Sequence, residues 1–237
     1  MTSTTSTDPR PDTTATAVSP ATAPAATGAT AAAADGDGDH VAIEPTILYF
    51  GTPVVLLSTE NDDGSTNLAP MSSAWALGYT IVLGLGSDGQ TGYNLARRPD
   101  LVINVPGPHL WPQVERIADV TGRYPVPATK RSNCRYEPDK FGLSGLTSQE
   151  SDIVRPLRVA ECALQFEARV AHSQLDVTDD FLIIQAQVLK VHADPAIVVP
   201  GTNYVEPAAW SPLIYNFRHY FGLGPELGFT SVSQTPR

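Results

Sequence analysis

Closely spaced glycines and hydroxyl side chains form one segment that could bind an anion. The motif Gly84-Leu-Gly-Ser-Asp-Gly89 follows an apolar stretch and precedes a short helical pattern that contains Thr91 and Asn94. Such a loop exposes backbone N–H groups and hydroxyls beside the positive end of a helix, where phosphate binds. The alternative is that the glycines form a turn and that Ser87 or Thr91 only caps the helix. The residue pattern leaves both interpretations open.

The same segment matches GxGxxG, the fingerprint of dinucleotide-binding Rossmann domains. That fold also needs a helix of several turns, a second parallel strand and an acidic residue about twenty residues further on. Here Pro99 cuts the helix short, and residues 101–105 are followed by Pro106 and Gly107 rather than by a βαβ unit. The sequence therefore argues against a Rossmann domain.

The elements that position this loop are mostly strands. Runs rich in β-branched and apolar residues predict strands at 53–59, 80–85, 101–105, 159–170 and 181–191, the last two paired as a meander. An Asp-Gly pair at 63–64 predicts a hairpin turn after the first strand. Helices are expected at 91–98 and at 109–121, where Leu110, Val114 and Ile117 recur at helical spacing.

Composition sets the limits of the domain and removes several classes of partner. Residues 1–40 are rich in Thr, Ala and Pro and predict a disordered tail, and residues 41–237 predict one domain with a loop-rich excursion around 125–152. A formal net charge of −10 excludes electrostatic binding of nucleic acid or of an anionic membrane. No apolar stretch is long enough to span a bilayer and no signal peptide is evident, which predicts a cytoplasmic protein.

The cysteines and histidines do not predict a metal site. Cys134 and Cys162 lack zinc-ligand spacing and are interpreted as reduced thiols, and the five histidines share no ligand spacing. Trp75 and Trp111 are expected in the hydrophobic core.

The order of four segments carries a resemblance to a known family. Residues 52–59 form an apolar strand, Asp63-Gly64 is followed by Asn67-Leu-Ala-Pro-Met-Ser-Ser73, the glycine loop leads to Thr91 and Asn94, and residues 102–106 read Val-Ile-Asn-Val-Pro. In this order they resemble the flavin reductase-like family of FMN-binding split barrels, over about residues 46–230. The resemblance implies a mainly β protein with a few helices, built as a six-stranded Greek-key split β-barrel. It also implies a homodimer with FMN near the dimer interface.

The resemblance assigns roles to individual residues. The segment along the isoalloxazine ring would be Asn67, Leu68, Ala69, Pro70, Met71, Ser72 and Ser73, and the ribityl phosphate would meet Ser87, Gly89, Gln90, Thr91 and Asn94. His219 lies in a C-terminal segment that approaches the flavin in such proteins and is the candidate catalytic proton donor. Asp88 departs from relatives that have Arg or Lys in the loop, so the phosphate would be bound mainly by neutral donors, or by Arg97 or Arg98.

The reaction implied by the resemblance is hydride transfer from NADH or NADPH to FMN. Backbone N–H groups in residues 67–73 would stabilise the negative charge that develops on the flavin. Three functions stay open: an FMN reductase that supplies a flavin-dependent monooxygenase, a specialised enzyme of secondary metabolism acting on a small-molecule substrate, and a flavin-binding protein without turnover. In the second, residues 125–152 would form a lid over the substrate.

Overall fold

The computed structural model describes residues 40–176 and 178–233. The chain divides into Met1–Glu44 and Pro45–Arg237, and the following account concerns the second unit. The disordered tail predicted for residues 1–40 lies outside the described residues, except for His40. Among the described residues, no helix has both the length and the apolar character needed to cross a membrane.

Strands dominate the described chain, as the sequence predicts. The strands are β1 (Phe50–Pro53), β2 (Val55–Glu60), β3 (Thr66–Met71), β4 (Ala74–Leu77), β5 (Thr80–Gly86), β6 (Asp100–Val105), β7 (Val120–Thr121), β8 (Arg135–Tyr136), β9 (Ser148–Gln149), β10 (Arg158–Val159), β11 (Leu164–Leu175), β12 (Phe181–Ala193), β13 (Ile214–Asn216) and β14 (His219–Phe221). The α-helices are short: α1 (Gln90–Leu95), α2 (Trp111–Glu115) and α3 (Lys140–Ser144). Short 3₁₀ turns lie at Pro108–Leu110, Ala128–Lys130 and Pro195–Ile197.

The main sheet is antiparallel and has the order β3-β2-β6-β11-β12-β5-β4. Its two outermost strands, β3 and β4, are consecutive in sequence and joined only by Ser72 and Ser73. The sheet must therefore curl until its edges meet, and β3 and β4 act as one strand bent at these serines. Counted in that way the barrel has six strands in Greek-key order, which is compatible with the predicted count.

Two hydrophobic clusters lie on opposite faces of this sheet. Because successive residues of a strand point to opposite sides, Leu57 packs inside the curled sheet with Leu83 and Ile103, and Leu56 packs outside it. The outer cluster also contains Val114 of α2, and the helix thereby covers that face of β2. Burial on both faces explains why β2 is almost continuously apolar.

Several predicted elements are confirmed. The hairpin turn is closed by Asn61, whose N–H donates to the carbonyl of Ser65 at 2.8 Å, and Gly64 adopts a φ of +83° that favours glycine. The two long strands, β11 and β12, pair antiparallel along almost their whole length. The mainly β architecture agrees with the sequence pattern.

Other expectations are wrong in detail. The helix predicted at 109–121 ends at Glu115, because Val120 and Thr121 leave it to pair in parallel with β8. The excursion at 125–152, expected to be rich in loops, also carries the short elements β8, α3 and β9. Trp75 and Trp111 are not core residues, since their exposed fractions are 57% and 49%.

A fully buried carboxylate joins the excursion to the sheet. Glu167 of β11 accepts hydrogen bonds from the backbone N–H groups of Asp152, Ile153 and Val154 at 2.8, 2.6 and 2.9 Å. Its other contact is Nε2 of His192, at 2.6 Å. Burial alone would raise the pKa of Glu167, but these hydrogen bonds outweigh it and lower the pKa. Glu167 thus holds residues 152–154 against the barrel.

Candidate functional site

Two adjoining cavities lie along β3, where that strand bends toward β4. The aromatic cavity has a volume of about 280 Å³, and its lining includes Tyr49, Met71, Ser72, Ser73, Tyr215 and Tyr220. The lysine cavity has a volume of about 180 Å³, and its lining includes Gly89, Gln90, Thr91, Lys130, Cys134 and Lys140. Pro70 and Ala118 line both cavities, so the two adjoin, and together they are called the groove.

Tyrosine rings build one wall of the aromatic cavity. The ring centroids of Tyr49 and Tyr215 are 5.6 Å apart, and those of Tyr215 and Tyr220 are 5.4 Å apart. The hydroxyl of Tyr220 donates to Oε2 of Glu115 at 2.8 Å. Burial and this carboxylate raise the pKa of Tyr220, so the phenol remains neutral. The wall therefore offers aromatic surface to a ligand, from rings inclined to one another by 66° and 54°.

The opposite side of the aromatic cavity is the bend itself. Ser72 and Ser73 lie outside the strand pairings of β3 and β4, and the N–H of Gly84 donates to the carbonyl of Ser73 at 2.8 Å. A Cβ on Gly84 would lie only 3.1 Å from that of Ser73, so glycine permits this close approach. Main-chain groups at the bend can thus meet the polar edge of a planar ligand.

Two of the three lysines in the chain meet at the lysine cavity. Nζ of Lys130 lies 3.1 Å from Oδ1 of Asp88, and a Cβ on Gly89 would lie 3.1 Å from the same nitrogen. Lys140 is only 4% exposed, and among the described residues it has no hydrogen bond or ion pair. Burial, and then the charge of Lys130, lower the pKa of Lys140 to about 8. Glu137 partly offsets this effect, but it forms no ion pair with Lys140, so the cavity favours a further anion.

Hydroxyl and amide groups complete the donor set. Oγ1 of Thr91 accepts from Nδ2 of Asn67 at 3.2 Å, which leaves the hydroxyl proton of Thr91 free to donate into the lysine cavity. Oδ1 of Asn67 is buried and has no hydrogen-bond partner among the described residues. Asn94 lies behind this layer, where its Oδ1 accepts from Nε2 of Gln90 at 2.8 Å. These contacts position Gln90 and Thr91 at the cavity wall.

The structure brings most of the predicted site residues to the groove. Eight of them line it: Ala69, Pro70, Met71, Ser72, Ser73, Gly89, Gln90 and Thr91. Asn67 and Asn94 are buried behind the lining, and the side chain of Leu68 packs in the outer hydrophobic cluster. Ser87 points elsewhere, because its hydroxyl donates to the carbonyl of Asp179 at 3.0 Å.

The capping alternative for this loop is wrong. The N-cap of α1 is Gly89, and no side chain in the described part of the chain caps the helix. The hydroxyl of Thr91 is therefore not needed to satisfy the backbone of α1.

Three basic side chains that were expected at the site lie elsewhere. His219 is exposed on β14 opposite Asn216 and does not line the groove, whereas the next residue, Tyr220, does. Arg98 is bound to Asp62 at 2.7 Å, and Arg97 lies over the ring of Tyr93, 3.6 Å from its centroid. Neither arginine supplies charge to the groove. Lys130 and Lys140, which sequence reasoning missed, take that place, and the excursion at 125–152 carries both.

The fold and the groove together define a split β-barrel protein with an aromatic site next to a cationic one. A model of the flavin reductase like domain matches residues 47–224, and the chain belongs to that family. The protein YdfE of Bacillus subtilis (strain 168), described as uncharacterized, is 47% identical over 195 residues, which are 81% of this chain and 94% of YdfE.

Solved structures agree with this fold. Flavoredoxin of Desulfovibrio vulgaris (Miyazaki F) superposes with a TM-score of 0.68 at 17% identity, covering 84% of this chain and all of that one. Nitrilotriacetate monooxygenase component B from Bacillus cereus superposes with a TM-score of 0.61 at 16% identity, covering 78% of this chain and 89% of that one. At these identities the likeness shows the fold alone, and it confirms the split barrel.

The residues of the groove fit the flavin that the family implies. A flavin mononucleotide joins a planar ring to a phosphate, and the groove joins an aromatic, main-chain-rich end to a cationic end through Pro70 and Ala118. The ammonium of Lys140, which has no ion pair among the described residues, and the free hydroxyl proton of Thr91 match a phosphate in charge and hydrogen-bonding type. Lys130 and Thr91 would hold it from different sides.

Proposed function

We propose that this protein is a flavin reductase that binds FMN and accepts hydride from NADH or NADPH. The observation that supports the proposal most directly is the continuity of the groove, with its aromatic end beside the β3–β4 bend and its two lysines at the other end. When bound, the flavin supplies the hydride-accepting ring, and the protein supplies alignment and charge.

The chain's own groups would divide the binding between the two ends of the groove. Lys130, Lys140 and Thr91 would bind the phosphate, and FMN is therefore preferred over riboflavin. Main-chain N–H groups at Ser72 and Ser73 would meet the negative charge that develops on the ring as it is reduced. Tyr215 and Tyr220 would exclude water from one side of the ring. No side chain is assigned as a proton donor.

We propose further that the protein acts as a homodimer. Exposed apolar side chains on β4, in the β4–β5 turn and on β12 support this: Trp75, Leu77 and Tyr79 are 57%, 70% and 70% exposed, and Ile183 and Leu189 are also exposed. Trp75, Leu77 and Tyr79 lie at one edge of the main sheet, and exposed apolar side chains grouped in this way are typical of an interaction site. Since Ser73 directly precedes β4, the dimer interface would lie next to the groove.

The proposed acceptor of the reduced flavin is a flavin-dependent monooxygenase. This part of the proposal is supported by the structural likeness to a protein named as component B of a monooxygenase.

The test is the visible absorbance of the purified protein, loaded with FMN and then treated anaerobically with NADH and, separately, with NADPH. We expect a flavin band that bleaches with at least one nucleotide. A band that persists with both nucleotides would contradict the reductase and leave a flavin-binding protein. A protein that neither carries nor binds FMN would overturn the proposed site. Riboflavin, which lacks the phosphate, serves as the control ligand and should bind more weakly.

A further inference from the structure

A thiol lies in the lysine cavity without any part in the proposed flavin contacts. Cys134 is partly exposed and lines that cavity together with Lys130 and Lys140. Its position is fixed by its own backbone, since its N–H donates to the carbonyl of Lys130 at 2.8 Å. The second cysteine, Cys162, is buried in the outer hydrophobic cluster, where burial and then Glu161 raise its pKa. The two thiols of the chain therefore differ sharply in environment.

Two lysine side chains line the lysine cavity together with Cys134, so an anionic reactant that enters the cavity to reach the sulfur meets both cations. The thiolate is the reactive form of cysteine. The charges of Cys134 and Glu137 act to raise the pKa of Lys140, but burial and the charge of Lys130 outweigh them. Lys140 is buried, has no ion-pair partner among the described residues, and lies in the same cavity. An anion in this cavity, whether thiolate or phosphate, meets the same two cations.

We infer that Cys134 is a thiol-modification site, and that its reaction with a small anionic disulfide closes the lysine cavity to the flavin phosphate. The inference rests on the proposed function, because it assigns the phosphate of FMN to this cavity. The class of reactant is a carboxylate-bearing disulfide, of which oxidised glutathione is an available example. Its carboxylates would pair with Lys130 and Lys140 as the phosphate does.

The reaction is a thiol–disulfide exchange. The thiolate of Cys134 attacks one sulfur of the disulfide, a new S–S bond forms to Cys134, and the original S–S bond breaks. The departing half leaves as a thiolate and takes up the proton that Cys134 released. Cys134 is oxidised and the disulfide is reduced, so no further oxidant is needed. A reducing thiol reverses the step.

The adduct on Cys134 and the flavin phosphate would occupy the same cavity, so modification and flavin binding would exclude each other. The lysine cavity measures about 180 Å³, and Cys134 forms part of its lining. An adduct on Sγ would fill the space that the phosphate needs and would neutralise its cations. Bound FMN would in turn cover Cys134 and protect it.

The experiment uses dithiobis(nitrobenzoate), an anionic disulfide that releases a coloured thiol as it reacts, on the full-length native protein. We expect one fast-reacting thiol per chain, assigned to Cys134 by mass mapping of the labelled peptides, with Cys162 unlabelled until the protein is denatured. FMN at about ten times its dissociation constant should slow labelling about tenfold, by mass action. Lys140→Met should slow labelling without FMN, whereas Lys190→Met, which removes a charge far along β12, should not.

A second measurement tests the consequence for binding. Protein modified with oxidised glutathione should bind FMN at least about tenfold more weakly by fluorescence quenching, because adduct and phosphate compete for one cavity, and dithiothreitol should restore binding. If the unmodified protein fails to bind FMN, the proposed function fails. If it binds FMN but Cys134 reacts no faster than Cys162, or if the modified protein binds FMN equally well, only the present inference is overturned.

Discussion

Nζ of Lys130 and Oδ1 of Asp88 lie 3.1 Å apart, in an ion pair that crosses from the excursion to the glycine loop. Asp88 looks unfavourable for phosphate binding in the sequence, because it puts a negative charge inside the loop. In the structure it holds a lysine above Gly89 instead, and burial, which would raise the pKa of Asp88, is outweighed by Thr129 and Lys130, which lower it. Asp88 thereby remains ionised and positions a cation at the site.

Lys140→Met should weaken FMN binding and alter its pH dependence. Removal of one charged phosphate partner costs about 2 kcal/mol, roughly 30-fold in Kd at neutral pH. Because burial lowers the pKa of Lys140 to about 8, the free protein loses this charge above that pH, and binding must then restore a proton. The Kd of the native protein should therefore rise as pH increases through 8, by up to about tenfold per pH unit, and the variant should lack this rise.

Fluorescence titrations with FMN from neutral to alkaline pH measure both effects. Lys190→Met is the matched control, since Lys190 pairs with Asp152 away from the groove. Identical pH profiles for Lys140→Met and the native protein would show that Lys140 does not face the phosphate.

Thr91→Val should weaken FMN binding without loss of the fold. The change removes the hydroxyl whose proton is free in the lysine cavity, and we expect a loss of about 1–2 kcal/mol in the binding free energy. Thr147→Val, on an exposed turn outside the groove, is the control. Riboflavin should bind native protein and Thr91→Val alike, and an equal loss for FMN and riboflavin would mean that Thr91 acts through the fold rather than on the phosphate.

Glu167→Gln should destabilise the protein at neutral pH by about 2–4 kcal/mol, since a buried carboxylate with several N–H donors becomes a neutral amide. The pKa of Glu167 is lowered in the fold, so its stabilising contribution is complete above the ordinary pKa of 4.5 and is lost as pH falls below it. The difference between native and variant protein should accordingly shrink in acid.

Urea unfolding at neutral pH and near pH 4 measures this difference. Glu161→Gln is the control, because within the described residues the Glu161 carboxylate accepts from the N–H of Thr147 alone. A variant as stable as native protein at neutral pH would show that the loop at 152–154 does not depend on the carboxylate.

Trp75→Glu should dissociate the proposed homodimer. It introduces a charge at the centre of the exposed apolar face on β4, where Trp75 pairs with Val82 of β5. Light scattering coupled to gel filtration measures the mass, and Tyr124→Glu, which changes an exposed ring in the excursion, is the control. Native protein that elutes as a monomer at micromolar concentration would contradict the dimer before any variant is made.

The main strands could be predicted from the sequence because they are local patterns, whereas the barrel itself was implied by the family resemblance. Alternating or continuous apolar runs and an Asp-Gly turn identify β2, β5, β6 and β12 without tertiary information. The prediction of a helix at 109–121 was wrong because Val120 pairs with β8. This long-range pairing outweighs the helical pattern, and local sequence rules do not reveal it.

In the candidate site, too, residues in local motifs could be predicted and residues brought together by the fold could not. Residues 69–73 and 89–91 could be assigned because they are contiguous and resemble a family motif. Lys130 and Lys140 could not, because they reach the groove from an excursion with no periodic pattern, although the scarcity of lysine in the chain was a signal. Glu167, His192 and Asp152 are separated in sequence, and only the pairing of β11 with β12 and the fold of the excursion bring them together.

The bend at Ser72 and Ser73 has a thermodynamic consequence. The barrel closes through two residues rather than through a full strand pairing, and the groove lies at that seam. A ligand bound there would contact Pro70 on one side and Ala118 and Tyr220 on the other. It would thereby link segments of the chain that are only weakly joined at this bend. Flavin at about 100 times its Kd would add about 2.7 kcal/mol to the free energy of unfolding. The melting temperature of the whole domain would therefore rise with the concentration of flavin around the protein.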